Sequence, residues 1–195
     1  MTEQFFREPL LIVRFRLPGY YFDIETTGLD PKNSKLCTIQ YQALSSKDGS
    51  PTGDLVILKE WESSEKEMLI EFSNVFSPTW DFIPIGENLL FDFSFLNHKI
   101  KEHTGKEYGL QFFANKPFID IKHILVVKNR GSFKGYNHCL GKTGGGSKVP
   151  SWYQNGDYDK IEDYIRKEAD CFVNAYMAMA KEIPKILLPF ETRSI

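Results

Sequence analysis

Between residues 20 and 60 the chain holds three strand-like runs joined by short connections, and from residue 63 onward strand-like and helical runs alternate. Tyr20–Thr26, Lys35–Leu44 (KLCTIQYQAL) and Asp54–Glu60 (DLVILKE) are the three runs, and the turn-forming SSKDGSPTG separates the last two. This spacing predicts an antiparallel meander. An earlier run, Leu10–Arg16, reads as a further short strand ended by Pro18-Gly19. Ser63 or Ser64 can cap a helix through about Val75, with Met68, Leu69, Phe72 and Val75 on its apolar face. Phe82–Ile85 reads as a brief buried strand before a helix over residues 91–103. Pro117–Ile121 reads as another strand, before a short helix over residues 122–128. Residues 132–150, rich in glycine and lysine, read as a loop around a short helix. The longest helical pattern spans residues 158–183, where Ile161, Ile165, Ala169, Phe172, Tyr176 and Ala180 form a stripe. A meander followed by β/α alternation predicts an α/β fold of three layers, a mixed sheet with helices on its faces.

A length of 195 residues, without internal repeat or linker, suits one domain spanning 1–195. The net charge of -2 supplies no global attraction to nucleic acid, so any such attraction must come from local clusters of Lys and Arg. Cys37, Cys139 and Cys171 form no metal-binding pattern, which argues against structural zinc and suits a reducing, cytoplasmic setting. No apolar run reaches membrane-spanning length, and MTEQFFREPLLIVRF is too charged for a signal peptide. No membrane partner is expected, and protein partners and oligomeric state are left open.

The informative residues are acids in apolar settings. Asp23 and Glu25 lie two apart in FDIETTGLD and therefore share one face of a strand. Asp92 is the only acid among the apolar residues of LLFDFSFL, which follows Gly86-Glu87-Asn88. Asp170 lies beside the apolar stripe of the long helix, in YIRKEADCFVNAY. Each acid alone has an ordinary reading as a capped or salt-bridged residue.

Together, in this order, the three stretches resemble the motifs of the DEDD superfamily of 3′→5′ exonucleases, over about residues 20–183. Asp23 and Glu25 match the first motif, Asp92 the second and Asp170 the third. The chain is similar to stand-alone exonucleases related to the proofreading domain of family B DNA polymerases. The resemblance implies a ribonuclease-H-like fold, with Asp23, Glu25, Asp92 and Asp170 holding two divalent cations. All-oxygen ligands favour magnesium or manganese, and two such ions can activate water and stabilise a leaving 3′ oxygen. The implied substrate is the 3′ end of single-stranded DNA or RNA. Thr26, Thr27, Leu29 and Asn88 become candidate substrate contacts, against ordinary turn chemistry as their other reading.

The resemblance fails at one place. Active members carry a tyrosine four residues, or a histidine five residues, before the final aspartate, and here those positions hold Arg166 and Ile165. Tyr164 is six residues from Asp170, a rotation of about 240°. Arg166 shares the face of Asp170 and is expected to point toward the acids, as a phosphate clamp or a partner to a carboxylate. Alternatively, Tyr136 or His138 swings in, or the chain is a catalytically impaired nucleic-acid-binding module. Lys122, Lys128, Arg130, Lys134, Lys142 and Lys148, interleaved with Phe133, Tyr136 and His138, lie in a stretch without acids between Asp120 and Asp157. Such a stretch is a solvated loop or, beside a two-metal site, a phosphate-tracking groove with Lys134, Tyr136 and His138 as contacts. GYNHCLGKT has five residues between its glycines, not the four of a P-loop. Asp120 is expected to cap the helix that follows it, and His98 and His103 to lie at the surface or its boundary.

Overall fold

The computed structural model describes residues 17–75, 82–108, 112, 115–132 and 146–191. The Leu10–Arg16 run, and Lys134, Tyr136, His138 and the rejected P-loop stretch, lie outside the described residues. Among the described residues, five strands form one sheet: β1 (Gly19–Thr26), β2 (Leu36–Leu44), β3 (Val56–Lys59), β4 (Ile83–Gly86) and β5 (Ile119–Asp120). Their order is β3-β2-β1-β4-β5. The first three are antiparallel, the expected meander, whereas β4 runs parallel to β1 and β5 parallel to β4. β1 is therefore central, with the meander on one side and the parallel strands on the other.

Among the described residues, five α-helices accompany the sheet: α1 (Glu65–Val75), α2 (Leu89–Thr104), α3 (Ile121–Lys128), α4 (Val149–Asn155) and α5 (Tyr158–Glu191). α1 starts with a reciprocal cap. The Ser64 hydroxyl accepts from Glu67 N–H (3.2 Å) and donates to the Glu67 carboxylate (3.0 Å). α5 runs past the expected residue 183 to Glu191.

Alternation along β1 divides the core between two layers. Phe22 and Ile24 face α1 and α2, packing with Met68, Leu69, Phe72, Phe93 and Leu96. Tyr21 faces the other layer, with Ile121 and Leu125 of α3 and Ala169, Phe172 and Val173 of α5. Cys37, Val149, Ile161 and Ile165 continue this second layer beneath α4. At the end of β4 the chain passes close to β1. A Cβ on Gly86 would lie 2.6 Å from Phe22 O and 2.5 Å from a Leu89 methyl, so only glycine fits. A buried ionic cluster joins the first layer to β2. Glu65 of α1 accepts from Leu36 N–H, pairs with His103 (2.9 Å) and lies 3.5 Å from the Lys99 ammonium, which also meets Glu102 at 3.0 Å. His103 is thus a boundary residue, as expected. On the opposite layer Tyr153 of α4 donates to Glu60, which pairs with Lys35 at 3.2 Å.

Candidate functional site

β1 outlasts its parallel neighbour: its pairing with β4 ends at Tyr21, while the strand continues to Thr26. Beyond that point the Ile24 N–H donates to Asp92 Oδ1 at 3.2 Å, which brings the first turn of α2 against the end of β1. Asp92 thereby joins the neighbourhood of Asp23 and Glu25 from a different element. Its carboxyl is held well above its ordinary value, first by burial and then by the charge of Asp23.

On the other side of β1, α5 supplies a further carboxylate. Asp23, Glu25 and Glu168 each place a carboxylate oxygen within 4.8 Å of the others. The Tyr21 hydroxyl lies among the same groups. It donates to Asp23 Oδ2 at 3.4 Å, and its ionisation is pushed well up, first by burial and then by the charges of Asp23, Glu168, Glu25 and Asp92. Four carboxylates from β1, α2 and α5 thus surround one small region.

Asp170 is not among them. It is exposed, whereas Ile161, Ile165, Ala169, Phe172 and Val173 are buried. Two residues turn an α-helix by about 200°, so Glu168 and Asp170 face different ways and Glu168 is the one directed inward. The expectation for Arg166 is corrected by the same geometry. It is 57% exposed, and its guanidinium lies 3.7 Å from Glu162 one turn earlier, not at the carboxylates. The signal for Glu168 was present in the sequence, since it lies three residues after Ile165 and four before Phe172 of the buried stripe. Matching by residue type favoured the aspartate over the helical register.

The remaining candidates fall at the rim. Thr26 Oγ1 donates to Gly28 O (2.7 Å), and Thr27 Oγ1 accepts from Lys35 N–H (2.8 Å), so both hydroxyls make turn bonds. Leu29 is 84% exposed in the same turn. Asn88 has a left-handed backbone (φ 62) just before α2 and accepts from the Lys122 ammonium at 3.0 Å. Asp120 caps α3 as expected, accepting from Lys122 N–H, and also accepts from Asn88 and Leu89 N–H. It ties the start of α2 to β5.

The donor set fits a hard divalent cation. The described cluster is entirely carboxylate, without His or Cys, and a shared cation would offset the mutual repulsion of its acids.

A search of solved structures finds partial likenesses. An exonuclease I from Methylocaldum szegediense matches at 16% identity and a TM-score of 0.44, over 58% of this chain and 30% of that one. E. coli exonuclease I in complex with a 5cy-dA13 oligonucleotide matches at 11% identity and a TM-score of 0.47, over 57% of this chain and 30% of that one. The chain therefore spans about 30% of the length covered by these structures. Among curated proteins no sequence matches. The family model described as RNase_H superfamily matches residues 20–168, which include the described sheet apart from Gly19 and all four of Asp23, Glu25, Asp92 and Glu168. The chain belongs to the RNase H superfamily.

Proposed function

We propose that this protein is a metal-dependent nuclease that removes nucleotides from the 3′ end of single-stranded DNA or RNA. The observation that carries the reading is the convergence of Asp23, Glu25 and Glu168 within 4.8 Å, with Asp92 adjoining. Membership of the RNase H superfamily supports nuclease chemistry. Asp23, Glu25, Asp92 and Glu168 would hold magnesium or manganese, two ions in this reading. Bound there, such ions supply Lewis-acid activation of water and stabilise the leaving oxygen.

Moving the last acid from Asp170 to Glu168 also answers the question that Arg166 raised. Four residues before Glu168 stands Tyr164, one turn earlier on the same side of α5. This is the spacing at which the resembling exonucleases place their tyrosine. Tyr164 is half-buried against Trp152, with ring centroids 6.2 Å apart. Its hydroxyl lies beside Gly146, where an added Cβ would sit 3.2 Å from the oxygen. In this proposal Tyr164 orients the attacking water. Leu29, exposed at the rim, contacts the terminal base, and Asn88 helps to position the terminal nucleotide. Lys134, Tyr136 and His138 remain candidate contacts for the strand beyond. The impaired-module alternative rests on Arg166 as a replacement for the water-orienting group, and the Tyr164–Glu168 spacing supports the enzyme instead.

The test uses single-stranded DNA and RNA labelled at either end, incubated with magnesium, manganese or EDTA. Stepwise shortening from the 3′ end, abolished by EDTA and by Glu168→Gln but retained in Asp170→Asn, is the expected result. Loss of activity in Asp170→Asn with full activity in Glu168→Gln would overturn the assignment. Binding without shortening under every metal condition would overturn the enzyme.

A further inference from the structure

Behind the acids lies a buried polar pair for which packing gives no reason. Strand pairing sets Gln40 of β2 opposite Asp23 and Thr38 opposite Glu25. Both side chains belong to fully buried residues in the central part of the sheet. Apolar residues at these two positions would avoid the cost of burying an amide and a hydroxyl.

The two groups are instead spent on each other and on Asp23. Thr38 Oγ1 donates to Gln40 Oε1 at 2.9 Å, and Gln40 Nε2 donates to Asp23 Oδ2 at 3.0 Å. The amide has only one sensible orientation, because an ionised carboxylate accepts and never donates. With Nε2 committed to Asp23, Oε1 faces Thr38, whose hydroxyl supplies the matching proton. The Tyr21 hydroxyl approaches the same Asp23 oxygen from β1 itself. Two donors on one oxygen restrict rotation of the carboxylate, and so fix how it faces Glu25 and Glu168.

The geometry points to a positioning relay, Thr38 to Gln40 to Asp23, that presets the Asp23 carboxylate for a divalent cation. The relay rests on the metal-site reading above. Groups that orient metal ligands from behind commonly contribute 10–100-fold to metal affinity, so an effect of about that size is expected. It acts on cation binding before any nucleic acid arrives.

The experiment measures Mn²⁺ binding to the full chain without nucleic acid, by electron paramagnetic resonance of the free ion. Gln40→Met, which keeps the side-chain length but donates nothing, should weaken Mn²⁺ binding by about 10–100-fold while retaining a native circular dichroism spectrum. Thr38→Val should weaken it less, and Thr38→Ser should restore wild-type affinity. The double variant Thr38→Val, Gln40→Met should bind no worse than Gln40→Met alone, since both links serve one carboxylate. Wild-type affinity in folded Gln40→Met overturns the relay but leaves the metal site standing. If Gln40→Met does not fold, Thr38→Val decides, and wild-type affinity there overturns the relay. A wild-type protein that binds no Mn²⁺ overturns the metal site and the relay with it.

Discussion

Asp92 illustrates how one side chain can be unfavourable for the fold and suited to a cation. Its carboxyl is buried beside Asp23, and its ionisation is raised above the ordinary 3.8. A raised carboxyl pKa means that the folded protein holds the proton more tightly than the unfolded chain. Its contribution to stability is therefore full below the unfolded value and lost as pH rises through the folded one. Asp92→Asn keeps an oxygen for the Ile24 N–H and discards the charge. Without metal, its melting temperature should exceed that of wild type at neutral pH by a few degrees, about 1 kcal/mol being worth about 2–4 °C at this size. The advantage should shrink as pH falls toward about 4, and calorimetry across pH checks it. Tyr164→Phe makes the contrasting case. Loss of the hydroxyl should lower kcat by about 10²–10⁴, the usual span for proton-transfer assistance, without changing Mn²⁺ affinity. Arg166→Ala should leave rate, substrate affinity and metal response unchanged, because its side chain turns toward Glu162 and solvent.

Among the elements, the cluster around Glu65 connects α1, α2 and β2, and α2 carries Asp92 at its other end. Glu65→Ala would leave the Leu36 N–H without its acceptor and the buried Lys99 with Glu102 alone. A loss of about 2–4 kcal/mol is expected, read as a lowered denaturation midpoint with the m-value retained. The elements themselves were legible in the sequence because their signals are local. The meander could be read from alternation and turns, α1 from Ser64 and its apolar face, and the long helix from its stripe. Two readings fell short for reasons that are not local. Pro117–Ile121 contributes only Ile119–Asp120 to the sheet, since pairing length depends on how far β4 extends. The inward acid of α5 depends on rotation of the helix against the sheet, and the buried stripe fixes that rotation better than residue type does. Thr38 and Gln40 look like any polar residues of an alternating strand until the register sets them behind Asp23 and Glu25.

At the scale of the molecule, the acids join β1, the first described strand, to α5, the last described helix. A divalent cation held between them would bind only the docked state. At about 100 times its dissociation constant it would stabilise that state by about 2.7 kcal/mol. Added Mn²⁺ should accordingly raise the melting temperature and slow amide hydrogen exchange in the turns of α5 around Glu168. An equal effect in Glu168→Gln would dissociate the ion from this helix.

The same arrangement has a consequence during synthesis. Asp23 and Glu25 leave the ribosome well before their partner carboxylate, which arrives on α5 after every described strand of the sheet has been made. Until that helix emerges and docks, the cation site is short of a ligand. In the proposed reading, a nascent chain is thus kept inert beside the messenger that encodes it until Glu168 has emerged and docked.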